Sequence, residues 1–336
     1  MKVAILAPIA WRTPPIKYGP WEQVASNIAE GLIEKGIDVT LFATGDSYTK
    51  GKLEYICETP YAENTDLDPK VWECLHISHL MEQADRFDLI HNNYDFLPLS
   101  YSRLISTPMV TTIHGFSSPK ILPVYKKYNK SSYYVSISNS DRSSELDYLA
   151  TVYNGINANE FTFNSEPDDY LLFFGRIHPE KGVYESIQIA RKSKRKLIIS
   201  GLIQDQKYFD HKVKPFLNDN DIIYVGNSGP DERDKLLGGA IALLHPISFE
   251  EPFGLSVVES MFCGTPVIAF NRGSMPELIQ HEKNGFLVQH TDEAVEAVEE
   301  IKQLNRRYCL EWASARFTTQ KMTKEYLKVY IEILKR

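Results

Sequence analysis

Residues 170–193 read Tyr170-Leu-Leu-Phe-Phe-Gly-Arg-Ile-His-Pro-Glu-Lys-Gly-Val-Tyr-Glu-Ser-Ile-Gln-Ile-Ala-Arg-Lys-Ser193. The apolar run Tyr170–Phe174 is strand-like, Gly175 allows a tight exit, and Lys181–Ser193 has helical patterning. The same strand–turn–helix phrase recurs downstream. Leu197–Ser200, Ile222–Val225, Ile241–His245, Val267–Phe270 and Phe286–Val288 read as strands. Pro230–Leu237, Leu255–Cys263 and Asp292–Leu304 read as helices. Such alternation predicts a parallel sheet with helices on both faces.

The first half carries an independent series. Val3–Ala7, Val39–Ala43, Leu89–His91, Met109–His114 and Tyr133–Ile137 are strand-like. Trp21–Lys35 has Val24, Ile28 and Leu32 at fourfold spacing and stops at Gly36; Val71–Arg86 and Ser140–Leu149 read as further helices. The chain therefore reads as α/β, with two Rossmann-like domains at 1–156 and 168–315. A polar, aperiodic stretch at 157–167 reads as the linker. A final helix falls within 316–336, where Met322, Tyr326, Val329, Tyr330 and Ile333 share one face. Open α/β sheets bind ligands at the carboxyl ends of strands, so the cleft between two such domains is the expected site.

Composition narrows the function. The chain has 336 residues and a formal charge of -7, which argues against a general nucleic-acid binder. Its four cysteines, Cys57, Cys74, Cys263 and Cys309, form no C-x-x-C pair; neither a zinc site nor a disulfide framework is expected, and a cytoplasmic setting is the simple reading. No apolar run approaches the roughly 20 residues that span a bilayer. The opening Met1–Pro8 reads as a first strand rather than a signal peptide.

Two segments of the second half carry chemistry. In Gly175–Gly182, Arg176 and Lys181 place two cations beside an incoming helix, an arrangement suited to a diphosphate. Alone, the pair would equally fit a solvated connection. In Glu251-Pro-Phe-Gly-Leu-Ser-Val-Val-Glu259, Pro252 and Gly254 punctuate a loop and Leu255 opens a helix. The amides of Gly254, Leu255 and Ser256 would face phosphate. Glu251 and Glu259 would each accept paired hydrogen bonds from vicinal hydroxyls, as sugars and ribose offer. Two solvated acids near a helix start are the bland alternative. The intervening Pro-Phe-Gly and the trailing Cys263-Gly-Thr-Pro-Val267 sharpen the signal.

This segment, with the Gly-Arg-x4-Lys-Gly run before it, resembles the E-x7-E signature of the family-four glycosyltransferases. The resemblance extends over essentially the whole chain. It implies the GT-B architecture and transfer of a hexose from a nucleotide-diphosphate sugar with retention, using no metal or other cofactor. It implies that Arg176 and Lys181 hold the diphosphate, that Glu251, with Phe253 beside it, contacts the donor sugar, and that Glu259 binds the ribose. Gly226 and Asn227 match the position that meets the base. His114 matches a histidine that contacts the donor sugar near its reacting centre. The final helix is expected to cross back onto the first domain.

Other first-half residues extend the picture. Tyr18-Gly19-Pro20-Trp21 stands where many members carry a Gly-Gly pair. Gly19 can still let backbone approach phosphate, whereas Pro20 removes an amide or serves as the first helical residue. Tyr18, Trp21, Asn92 and Asn93 are expected on the acceptor side, facing a glycan, a lipid-linked sugar or a small metabolite. Arg142 fits a weak phosphate contact or a surface ion pair. Lys120, Lys126, Lys127 and Lys130 with Tyr125 and Tyr128 would suit a weak peripheral membrane contact or a solvated helix face. Asp66–Asp68 and Asp219–Asp221 mimic the acidic triplet of metal-dependent enzymes but read as surface acids. UDP-glucose is the favoured donor and GDP-mannose the next. The alternatives are a nucleotide-sugar epimerase, a non-catalytic sugar-nucleotide sensor, and a dinucleotide oxidoreductase, which would need a G-x-G-x-x-G absent from Pro8–Gly19.

Overall fold

In the computed structural model, which describes residues 1–116 and 119–336, parallel strands dominate both halves. The first sheet holds β1 (Lys2–Leu6), β2 (Asp38–Phe42), β3 (Lys52–Glu54), β4 (Leu89–Asn92), β5 (Met109–Ile113), β6 (Tyr133–Ser136) and β7 (Tyr148–Thr151), in the order β3-β2-β1-β4-β5-β6-β7. The second holds β8 (Tyr170–Phe174), β9 (Lys196–Ser200), β10 (Ile222–Tyr224), β11 (Ala242–His245), β12 (Val267–Phe270) and β13 (Gly285–Val288), in the order β10-β9-β8-β11-β12-β13. Each order reverses once, between β1 and β4 and between β8 and β11. Central strands such as β4 and β11 are buried along their whole length, as strands covered on both faces are.

The chain divides into two compact units, Met1–Gly155 with Thr319–Arg336, and Ile156–Thr318. Segment 157–167, read from sequence as a linker, is held against the second unit. Asn157 caps the turn Ala158–Glu160, the Thr162 amide donates to Asp234, and the Asn164 amide donates to the Cys263 carbonyl at 3.0 Å.

The final helix, Thr319–Leu334, belongs to the first unit and buries Met322, Tyr326, Val329, Tyr330 and Ile333. It lies against the helix Pro20–Glu34, whose Val24, Ile28 and Leu32 are buried. Gly31 makes the approach close: a Cβ there would run into the Thr323 hydroxyl and lie 3.1 Å from Thr319 Cγ2.

One expected helix is absent. Ser140–Leu149 forms turns and then enters β7. Side chains there compete for the backbone: the Asp141 amide donates to Ser138 Oγ and the Ser143 amide to the Tyr148 hydroxyl. An unanticipated helix, Arg306–Arg316, buries only Cys309 and Ala313, too thin a stripe to show in sequence.

Gly31→Ala is expected to destabilise the protein by about 1–3 kcal/mol through overpacking, although alanine is the better helix former. Adding Thr323→Ala should restore part of the loss. Urea unfolding of both single variants and the double variant checks the coupling, and simple additivity would refute the contact.

Candidate active site

In the second unit, the reversal between β8 and β11 brings two distant loops together, at the place where open α/β sheets bind ligands. The Ser248 amide donates to the Glu180 carbonyl at 2.9 Å, stitching one loop to the other. Gly182, at φ 76°, lets its backbone press on Pro246; any Cβ would meet the Pro246 carbonyl oxygen. Together these contacts set Lys181 against Glu251, and the two form an ion pair with side chains only 14% and 12% exposed. Lys181 Nζ also lies 4.6 Å from the Phe249 ring centroid.

Glu251 is fixed by its backbone as well. Gly273 packs against it where no side chain would fit, and the Ser274 amide donates to its carbonyl at 2.9 Å. Burial alone would raise the Glu251 carboxyl, but Lys181 and His245 outweigh it and hold it down at about 2. Three residues on, Gly254 adopts φ 96° and opens the helix Leu255–Phe262, whose first turn no side chain caps. Leu255 and Ser256 are half-buried there, and Glu259 is one turn further in, 6% exposed. Arg233 Nη1 lies 3.2 Å from Glu259 and Nη2 lies 3.1 Å from Glu160. Burial raises the Glu259 carboxyl and Arg233 opposes the rise.

Arg176 follows β8 and its guanidinium donates to Gln204. Gly226, at φ 87°, and Asn227 are half-buried just after β10. Phe253 is 2% exposed and packs edge-on against Phe317, ring centroids 5.9 Å apart.

In the first unit, Gly19 at φ 152° precedes Pro20, which is the first residue of its helix. A Cβ on Gly19 would crowd Pro15, Trp11 and the Glu22 carboxylate. Tyr18 meets Trp11 edge to face at 5.8 Å. Trp21 stacks on His114, centroids 5.8 Å apart. His114 Nε2 is 3.1 Å from Asn93 Oδ1, so Nε2 donates and Nδ1 keeps a free lone pair with no hydrogen-bond partner. Burial pushes the His114 imidazole down to about 3, leaving it neutral. Asn92 is fully buried; its side-chain amide donates to the Asp95 carbonyl and to Thr111 Oγ1, and its Oδ1 accepts from the Tyr94 amide.

Sequence reasoning passed over Glu22. It is 3% exposed, accepts from the Trp11 amide at 3.2 Å, and is raised by burial to about 7. It also missed Arg233 and His245, which show no motif spacing. Tyr125 and Tyr128 are buried; Lys126 pairs with Glu145 and Lys130 with Asp147. Arg142 donates to Ser136 Oγ at 3.0 Å. Asp68 caps the helix Pro69–Met81, while Asp219 and Asp221 lie exposed before β10. Among the described residues, no three or more His, Cys, Asp or Glu side chains gather as for a metal ion, and no helix is long and apolar enough to cross a membrane.

Residues 156–315 match the family model Glycosyl transferases group 1, and residues 21–160 match Glycosyltransferase Family 4. Both halves of the chain thus match glycosyltransferase models, and the chain is a glycosyltransferase. An uncharacterised glycosyltransferase of Methanocaldococcus jannaschii is 24% identical over 86% of this chain and 85% of its own. Two solved structures share the GT-B fold of this glycosyltransferase. One is sucrose-phosphate synthase of Thermosynechococcus elongatus, with a TM-score of 0.80 at 17% identity over 100% of this chain and 99% of that one. The other is an Anabaena protein in complex with UDP-glucose, with a TM-score of 0.75 at 18% identity over 99% and 100%.

Glu22 gives the glycosyltransferase a pH signature. Its folded value lies above its unfolded one, so between about pH 4.5 and 7 the unfolded state loses a proton that the folded state keeps. Stability therefore falls as pH rises through that window. Glu22→Gln should remove the fall, gaining roughly 1–3 kcal/mol at pH 8 and little at pH 4. Urea unfolding at both values checks this; an equal change at both would mean that Glu22 is not held protonated.

Proposed function

We propose that this enzyme moves a hexose from a nucleotide-diphosphate sugar, UDP-glucose by preference, to an acceptor hydroxyl with retention and without a metal ion. The observation that carries the reading is the meeting of Lys181 and Glu251 at the β8–β11 reversal, beside an uncapped helix start. A diphosphate brings more charge than Glu251 does, so it competes for Lys181; Arg176 exchanges a neutral partner, Gln204, for an anion. The amides of Leu255 and Ser256 add the positive end of a helix. These groups stabilise charge on the departing phosphate as the glycosidic bond breaks, the task that a divalent ion performs elsewhere.

In the proposed step the bond from the anomeric carbon to phosphate oxygen breaks. The bond to acceptor oxygen forms on the same face, and the acceptor proton passes to the leaving phosphate. Glu251, ionised across the ordinary pH range, accepts hydrogen bonds from the sugar hydroxyls. Glu259 is assigned to the ribose diol, Gly226 and Asn227 to the base. From the first unit, His114 is assigned to the donor sugar, Gly19 to the diphosphate, and Tyr18, Trp21 and Asn93 to the acceptor. The Anabaena structure with UDP-glucose supports the choice of donor.

A thermal-shift series over UDP-glucose, GDP-mannose and their free nucleotides tests the donor, because a ligand of the native state raises its melting temperature. UDP-glucose should give the largest shift, and no response to any sugar nucleotide would overturn the proposal. Glu251→Gln should lower transfer by about 100-fold or more at saturating donor, as loss of a transition-state contact does. Undiminished transfer would remove Glu251 from the mechanism.

A further inference from the structure

His245, the last residue of β11, has no assigned role. It is 5% exposed, and its Nε2 has no hydrogen-bond partner. That nitrogen lies 3.5 Å from Glu251 Oε2, too long for a good hydrogen bond and close enough for attraction. The Lys181 ammonium pairs with the same oxygen. The Lys181 ammonium and the His245 ring therefore both face Oε2, while no described hydrogen bond reaches Oε1.

We propose that His245 is the positioning residue of the donor-sugar site: with Lys181 it captures Oε2 of Glu251 and leaves Oε1 to the sugar hydroxyls. This rests on the reading of Glu251 as the sugar-binding carboxylate and adds how that carboxylate is aimed. A carboxylate held by one cation can rotate about its last bond. A second donor arriving from a different element, the end of a central strand, removes that freedom. His245 also serves when Lys181 turns toward the diphosphate. At that moment Nε2–H is the donor left on Oε2, and the loose 3.5 Å contact has room to tighten. An unpartnered nitrogen in a buried position is otherwise unfavourable, and a role in the loaded state accounts for it.

The test compares UDP-glucose with UDP, measured by calorimetry on the whole chain. His245→Phe keeps a buried ring and removes the donor. His245→Gln places an amide nitrogen near the position of Nε2. His245→Phe should weaken UDP-glucose by about tenfold, the effect of one hydrogen bond to a charged group. UDP should stay within about twofold, since the nucleotide does not read Oε1. His245→Gln should restore most of the UDP-glucose affinity. An unchanged ratio in His245→Phe, or equal weakening of both ligands, would overturn the proposal; the second outcome marks a merely structural residue. Glu251→Gln is measured alongside. If it too leaves the ratio unchanged, the reading of Glu251 fails rather than the positioning. If the wild-type chain binds neither probe, the donor reading fails, and GDP-mannose and GDP take their place in the same comparison.

Discussion

The ion pair between Lys181 and Glu251 sets the terms for the second unit. Both charges are largely withdrawn from water, which costs several kcal/mol per ion unless pairing is close and further donors assist. The partners stand far apart in sequence, so close pairing requires two loops to be held to each other rather than merely to the sheet. That is the work of the Ser248–Glu180 hydrogen bond, the Gly182–Pro246 approach and the Gly273–Glu251 approach. Removing one charge would strand the other. The same desolvation readies the site for an anionic ligand, because Lys181 has already shed most of its water.

The first unit solves a related problem differently. Glu22, in the first turn of the helix Pro20–Glu34, is buried and Asp95, just after β4, is half-buried; among the described residues neither has an ion-pair partner. Burial pushes them up to about 7 and about 6, and His114 down to about 3. Tyr125 donates to Asp95 at 2.5 Å and the Trp11 amide to Glu22.

Much of this was legible in the sequence because strand–helix alternation and the glycine-punctuated loops are local signals. Tyr170–Phe174 and Val267–Phe270 are bounded as read; Arg176 and Lys181 lie in the connection after β8, and Glu251 lies in the loop after β11. Position along the chain does not reveal burial, and Phe253 and Asn92 are both buried. Nor does it reveal partners supplied by distant elements. Arg233 reaches Glu259 from another helix, and Glu160 reaches Arg233 from the supposed linker. Ser140–Leu149 misled because the hydroxyls of Ser138, Ser143 and Tyr148 satisfy its backbone amides locally, a competition that periodicity does not register.

One further element ties the first unit to the chain's order of synthesis. His91 on β4 contacts the Tyr330 hydroxyl through Nδ1 at 2.6 Å and Thr112 through Nε2 at 2.7 Å; Thr112 in turn meets Tyr326 at 2.8 Å. Both tyrosines belong to the helix Thr319–Leu334. Until that helix arrives, a histidine and a threonine in the central sheet lack their partners, and the face of Gly31 is bare. A ribosome makes these residues only after the whole of Ile156–Thr318. The unit that is begun first is thus completed last, waiting during translation for its final helix while the second unit can already close.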